Sequence, residues 1–146
     1  MNFNSFTCTS REQSERLIAL GLKNETADYR HWAYTKDSKG APIPTVNQKW
    51  FTCIESSEST QVCGLMKTIF IPAWSLHRLI EMMPYDFTDN NNSYKLYVTC
   101  DGVGYNDKED TYSLVGWWHM NTYDDIIYCI EWLIKEGRFN KEYLEA

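Results

Sequence analysis

The sequence has few of the features that mark fibrous, disordered or membrane-spanning chains. Its 146 residues include only 7 Gly and 4 Pro, which excludes a collagen-like or low-complexity chain. The longest apolar runs, such as residues 69–71 and 114–118, are far shorter than the ~18 residues of a spanning helix, so we expect no membrane association. The 5 Cys are irregularly spaced and follow no apolar leader segment, which predicts a reduced, cytoplasmic chain.

Positive charge is also scarce. Only 14 basic residues stand against 20 acidic ones, which gives a formal net charge of −6 and a sequence pI near 5.0. The basic residues are scattered along the chain, whereas a protein that binds a nucleic-acid backbone needs a positive stripe. We therefore expect no nucleic-acid partner.

Motifs that bind metals or nucleotides are missing from the sequence. There is no Cys-x-x-Cys or His-x-x-x-His pair, so no metal site is expected. There is also no Gly-x-Gly-x-x-Gly, no Gly-x-x-x-x-Gly-Lys-Ser/Thr and no Gly-x-Ser-x-Gly. Nucleotide binding by these routes and α/β-hydrolase chemistry are unsupported, and we expect no cofactor.

Aromatic residues, by contrast, are abundant. The chain has 6 Trp, 10 Tyr and 6 Phe, together 15% of its residues. Such an excess marks either a binding surface or an aromatic core, and the positions of the rings on the expected elements must decide between these two explanations.

The first helix and strands follow from caps and from β-type runs. Two overlapping capping boxes precede the first apolar stripe, pairing Thr9 with Glu12 and Ser10 with Gln13. They predict a helix over residues 10–20, which Gly21 ends in a Schellman motif. Two runs rich in aromatic or β-branched residues, 29–34 and 49–54, predict strands on either side of a loop.

A second helix is expected over residues 73–83. Pro72 suits the first helical position and Pro84 ends the helix. The apolar stripe of this helix consists of Leu76, Leu79, Ile80 and Met83. Trp74 and Arg78 lie off the stripe with i, i+4 spacing, so we expect them outside the core as a cation–π pair.

The strongest β signal lies in residues 94–119, after a predicted loop over 86–93. Asp101-Gly102 is a preferred type I′ turn, which would place Val98 opposite Tyr105. A second turn at residues 107–110 would place Tyr112 opposite Tyr105 and Leu114 opposite Val103. The result is an antiparallel meander with one dry face and one wetter face.

A last amphipathic helix is expected over residues 123–136. Thr122 and Asp125 suit its cap, Glu131 and Lys135 form an exposed pair, and Gly137 ends it. We therefore expect one α+β domain over residues 1–146, with a mainly antiparallel sheet and about three helices packed mostly on one face.

An aromatic ridge on the wetter sheet face is the candidate binding site. If the alternation holds to the end of the last strand, Tyr97, Trp117 and His119 project from this face. Together with Trp74 they would bind a protein partner or a second copy of the chain. The alternative, that the strand at residues 29–34 covers this face, remains open.

A cysteine nucleophile is the competing hypothesis. Cys8 precedes a helix N-terminus, where the helix dipole lowers a thiol pKa, and His31 or His119 could act as the base. The chain would then be a small cysteine/histidine hydrolase or modifying enzyme. No pattern in the sequence brings these residues together, so no catalytic residue is assigned.

Four short segments carry a resemblance to a known family. They are residues 25–28 (ETAD), 71–76 (IPAWSL), 79–84 (LIEMMP) and 129–134 (CIEWLI). With them the chain resembles a family of small proteins from phages and mobile elements of Bacteroides-type gut bacteria. The resemblance implies a genomic setting without an activity. In that setting we expect a non-enzymatic accessory protein that binds another protein, or, alternatively, an enzyme that acts on a host component.

Overall fold

The helices and strands are those of an α+β protein, as predicted. The computed structural model describes residues 7–55, 68–119 and 121–146. Within these residues the helices are α1 (Arg11–Ala19), α2 (Leu76–Met82) and α3 (Thr122–Lys135). The strands are β1 (Tyr29–Tyr34), β2 (Trp50–Ile54), β3 (Thr68–Ala73), β4 (Asp86–Asp89), β5 (Asn92–Val98), β6 (Val103–Asp107) and β7 (Ser113–Trp117). None of the described helices is long and apolar enough to cross a bilayer.

Helix α1 begins at one of its two predicted capping boxes. The Ser10 hydroxyl accepts the backbone N–H of Gln13 at 3.2 Å, and the Gln13 side chain accepts the N–H of Ser10 at 2.9 Å. The second box, Thr9 with Glu12, is wrong. The Thr9 hydroxyl instead accepts the backbone N–H of Trp74 at 3.1 Å, which ties the helix start to the chain after β3.

The predicted Schellman motif at the end of α1 is confirmed, and the C-terminal tail binds to it. Gly21 has a φ of 94°, and the N–H of Leu22 donates to the carbonyl of Leu17 at 3.1 Å. The Gly21 carbonyl in turn accepts the N–H of Glu145 at 2.7 Å. The tail is thereby hydrogen-bonded to the loop that follows α1.

The first sheet has the strand order β2-β1-β3, with both outer strands antiparallel to β1. The predicted strands at residues 29–34 and 49–54 are confirmed. The predicted helix over 73–83 is wrong at its start, because Pro72 lies in β3 and α2 begins only after its cap Ser75. The run at residues 69–71 is β-branched and aromatic, and Pro72 is tolerated because β3 is an edge strand.

The second sheet has the strand order β4-β5-β6-β7 and is antiparallel throughout. The loop predicted over residues 86–93 is wrong in part, since it contains β4 and a tight turn. Asn90 and Asn91 form this turn with φ values of 47° and 66°. Asn tolerates the left-handed conformation better than other non-glycine residues, which explains how two of them can close a hairpin.

The β5–β6 turn is longer than predicted. The N–H of Thr99 donates to the carbonyl of Gly102 at 2.9 Å, which closes a four-residue loop over residues 99–102. Tyr105 therefore pairs with Leu96, and the predicted pairing with Val98 is wrong. Because the shift is two residues, each side chain keeps its predicted face.

A bulge between β6 and β7 has a larger effect. The register shifts after Tyr105, so that Val115 lies opposite Tyr105 and Trp117 opposite Val103. The predicted pairings of Tyr112 and Leu114 are wrong, and Tyr112 is 63% exposed. An extra residue in one strand exchanges the two faces for the residues beyond it.

Helix α3 covers the inner face of the second sheet. Its cap is Asn121, which accepts the N–H of Asp124, and the predicted pairing of Thr122 with Asp125 is wrong. The exposed pair of Glu131 and Lys135 is confirmed at 2.8 Å. The core under α3 contains Val103, Tyr105, Ile126, Ile127, Cys129, Ile130 and Leu133.

Replacing Gly104 with Ala should destabilise the fold. A Cβ at Gly104 would collide with the Val115 carbonyl oxygen and lie 2.7 Å from the Tyr97 hydroxyl. We expect Gly104→Ala to lower the free energy of unfolding by about 2 to 3 kcal/mol, measured by urea denaturation. Gly40→Ala serves as a comparison. A Cβ at Gly40 would meet no atom of the described residues within 4 Å, but the φ of 81° is unfavourable for Ala, so the free energy of unfolding should fall by about 1 kcal/mol. Equal losses would contradict the close packing at Gly104.

Candidate functional site

Trp74, one of the residues proposed for binding, is fully buried. Its indole N–H donates to the Thr26 hydroxyl at 2.9 Å. Arg78 lies over the ring of Tyr143 at 5.7 Å, so the expected cation–π pair with Trp74 is wrong. The sequence predicts that the helix already includes Trp74, whereas Trp74 lies in the connection between β3 and α2.

Trp117 also lies on the inner side of the second sheet. Its ring centroid is 6.4 Å from that of Trp132 on α3, and both rings pack against the core. The expectation that Trp117 projects from the wetter outer face is therefore wrong. The bulge in the β6–β7 pair is the cause, and nothing in the alternation of the sequence indicates it.

Tyr97 lies on the outer face of the second sheet, as predicted. Its hydroxyl lies over Gly104 and Gly116, and partial burial raises its pKa. Trp118 lies against Gly102 and Gly116 and is 58% exposed. Two aromatic side chains therefore fill the space that the glycines leave, and the predicted ridge is reduced to Tyr97.

His119 lies beyond the end of β7 and is held by a buried carboxylate. Asp125 accepts the backbone N–H of His119 at 3.0 Å and its Nδ1–H at 2.7 Å. The imidazole lies 5.0 Å from the ring of Tyr128. These contacts hold His119 against the first turns of α3.

Cys8 and His31 line one cleft of about 340 Å³, but they are not arranged for catalysis. His31 donates from Nε2 to the Thr9 carbonyl at 2.7 Å, and its Nδ1 accepts the Thr52 hydroxyl at 2.8 Å. No hydrogen bond joins Cys8 to His31 in the described chain. Burial raises the pKa of the Cys8 thiol, which opposes formation of the thiolate. Among the described residues, no cluster of His, Cys, Asp and Glu could hold a metal ion.

A surface with several aromatic side chains lies on the first sheet. Side chains alternate along β1, so that Arg30, Trp32 and Tyr34 share one face. The strand register places Phe51 of β2 and Phe70 of β3 on either side of Trp32. We call these five residues the aromatic face.

Three rings of the aromatic face are in contact with one another, and Phe51 and Phe70 reach solvent. Trp32 is stacked on Phe51 with ring centroids 4.6 Å apart, and its edge meets Tyr34 at 5.1 Å. Phe51 is 37% exposed and Phe70 is 42% exposed. On the opposite face His31 and Ala33 are buried, because β3 packs against α1. The first sheet therefore has one face that α1 covers in part and one aromatic face that is partly open.

Cationic groups adjoin the aromatic rings. The Arg30 guanidinium lies 4.8 Å from the centre of the Phe70 ring and forms an ion pair with Glu55. The Lys49 ammonium lies 5.8 Å from the centre of the Phe51 ring and is exposed. Such contacts between cations and ring faces are favourable, and they fix the ring orientations on the sheet.

Part of the aromatic face could be predicted from the alternation of residues along β1. The residues at 30, 32 and 34 alternate with those at 29, 31 and 33, and both strands 29–34 and 49–54 were predicted. The sequence pattern does not predict β3, whose last residue falls in the predicted helix, so it does not place Phe70 on this sheet. Because β1 is the central strand only when β3 pairs with it, the sequence pattern also does not reveal the position of β1.

Comparison with known proteins adds no further guide. The chain matches no family model, no curated protein and no solved structure. Function therefore has to be argued from the geometry of the chain itself.

Thiol reactivity tests the interpretation of the Cys8 cleft. Burial raises the pKa of Cys8 and raises that of Cys129 to about 12, whereas Cys100 is exposed. We expect iodoacetamide at neutral pH to alkylate Cys100 at least about tenfold faster than the two buried thiols, as followed by peptide mass spectrometry. Alkylation of Cys8 as fast as Cys100 would show an activated thiol and favour the cysteine-enzyme alternative.

Proposed function

We propose that this protein is a non-enzymatic accessory protein that binds another protein through the aromatic face of its first sheet. The setting we propose is the one that its sequence resemblance implies, a phage or mobile element of a Bacteroides-type bacterium. The observation that carries the proposal is the contiguous set of partly exposed rings formed by Phe51, Trp32 and Phe70.

The physical basis is the free energy gained when these rings leave water. Aromatic side chains and Arg are enriched at the energetic centres of protein interfaces, since they bury much apolar area and lose little conformational entropy. Trp32 is held by contacts with Phe51 and Tyr34 before any partner arrives. Preorganised rings lower the entropic cost of association.

The cysteine-enzyme alternative has weaker support. Cys8 and His31 share a cleft, but His31 uses both ring nitrogens in other hydrogen bonds and burial disfavours the Cys8 thiolate. His119 is bound to Asp125 through Nδ1. We therefore propose binding as the function.

Site-specific photo-crosslinking tests the proposed binding. A photoreactive p-benzoylphenylalanine is incorporated in place of Phe70, and the full-length protein is irradiated in lysate of a Bacteroides-type bacterium. We expect one dominant covalent adduct, identified by mass spectrometry, whose yield falls at least about fivefold when Phe51→Ser is added, because the partner loses apolar contact area.

The matched control carries the same photoreactive residue in place of Tyr85, which is 72% exposed and lies outside the aromatic face. It should give no adduct with the same partner. An adduct between two copies of the chain would assign the surface to a homodimer. The proposal fails if the Phe70 position gives no adduct beyond that obtained at Tyr85.

A further inference from the structure

The size of the aromatic face limits what can occupy it. Three strands of about six residues form a surface of roughly 15 by 20 Å, or about 300 Å², from the usual strand spacing and rise. A stable protein–protein interface buries about 800 Å² on each partner. The aromatic face alone is therefore too small for a stable dimer of this chain, but it matches an extended segment of about six residues, which spans roughly 20 Å.

The charge beside the rings has the opposite sign to the chain as a whole. The net charge is −6, yet within residues 7–55 and 68–119 Arg30 and Lys49 lie over rings of the aromatic face, and Glu55 pairs with Arg30. Arg30 and Glu55 neutralise each other in their ion pair. Lys49 is exposed and forms no ion pair with any carboxylate of the described residues. One uncompensated positive charge therefore lies next to Phe51.

We propose that the aromatic face binds a short extended segment of a partner protein that combines a large apolar side chain with an adjacent acidic residue. This inference rests on the proposed binding function and names the class of partner. The apolar side chain packs on the row formed by Phe51, Trp32 and Phe70. The acidic side chain pairs with Lys49, and Coulomb attraction there selects acidic segments over basic ones.

A charge-reversal experiment tests this inference. Random peptides of about six residues between constant linkers are displayed on yeast and selected against the full-length protein and against Lys49→Glu. We expect the wild-type protein to enrich sequences with Phe, Trp, Leu or Ile next to Asp or Glu. A synthetic peptide of the enriched sequence should bind Lys49→Glu about tenfold more weakly, measured by fluorescence polarisation.

The matched control is Lys39→Glu, which makes the same change in net charge at another exposed lysine. It should bind the selected peptide within about twofold of wild type, since screening weakens distant charges. A selection by Lys49→Glu that favours basic residues would complete the reversal of specificity.

The outcomes separate the inference from the function on which it rests. Enriched peptides that lack acidic residues but lose binding in Phe51→Ser would overturn the acidic class while leaving the binding function standing. A selection that yields no peptide dependent on Phe51 would overturn the inference, while photo-crosslinking at Phe70 tests the function independently. Tighter binding of a single-stranded DNA probe than of any selected peptide would also overturn the inference.

Discussion

Hydrogen bonds to Thr9 hold the N-terminal half of the structure together. The backbone N–H of Thr9 donates to the Trp74 carbonyl at 2.9 Å, and its hydroxyl accepts the Trp74 N–H at 3.1 Å. Its carbonyl accepts Nε2–H of His31 at 2.7 Å. Thr9 is fully buried, and unpaired polar groups there would be costly, so these bonds fix β1 and the end of β3 against the start of α1. Because α1 takes one face of the first sheet, the rings of the other face point away from it.

The second half of the chain is organised around α3. It packs against β6 and β7, and Trp132 meets Tyr105 and Trp117 from the sheet. Asp124 at its start accepts the Gln13 side-chain N–H at 2.9 Å and pairs with Arg16 of α1. Helix α1 thus contacts both β3 and α3. The aromatic residues divide between two roles as a result. Those of the second sheet mostly fill its core and outer glycine surface, whereas Phe51, Trp32 and Phe70 of the first sheet form the partly exposed row.

Sequence reasoning predicted the features that depend on local chemistry. The Ser10 cap, the Schellman motif at Gly21 and the Glu131 pair with Lys135 each involve residues within about five positions, and local hydrogen bonds fix them. The strands at residues 29–34 and 49–54 also followed from composition. The errors arise where distant contacts decide the outcome. Pro72 favours the first position of a helix, but pairing of β3 with β1 places it in a strand. Trp74 is buried through contacts with Thr26 and Thr9, which lie far from it in the sequence.

The sequence predicted the type of candidate site but not its position in the fold. An exposed aromatic surface on an antiparallel sheet was expected, but on the second sheet. The bulge after Tyr105 moves Trp117 to the inner face. No residue at the bulge is of a type that would predict it from the sequence. The face on the first sheet depends on three strands meeting in register, which alternation along one strand cannot reveal.

Hydroxyl-radical footprinting of the isolated monomer tests the central claim, that the row formed by Phe51, Trp32 and Phe70 is open to solvent. Oxidation rates per residue are read by mass spectrometry and compared with those of exposed Tyr85 and buried Tyr105. The structure requires Phe51 and Phe70, which are 37% and 42% exposed, to be oxidised more slowly than Tyr85 but much faster than Tyr105. Protection of both phenylalanines to the level of Tyr105 would show that the monomer already covers this row and would contradict its role as a binding surface.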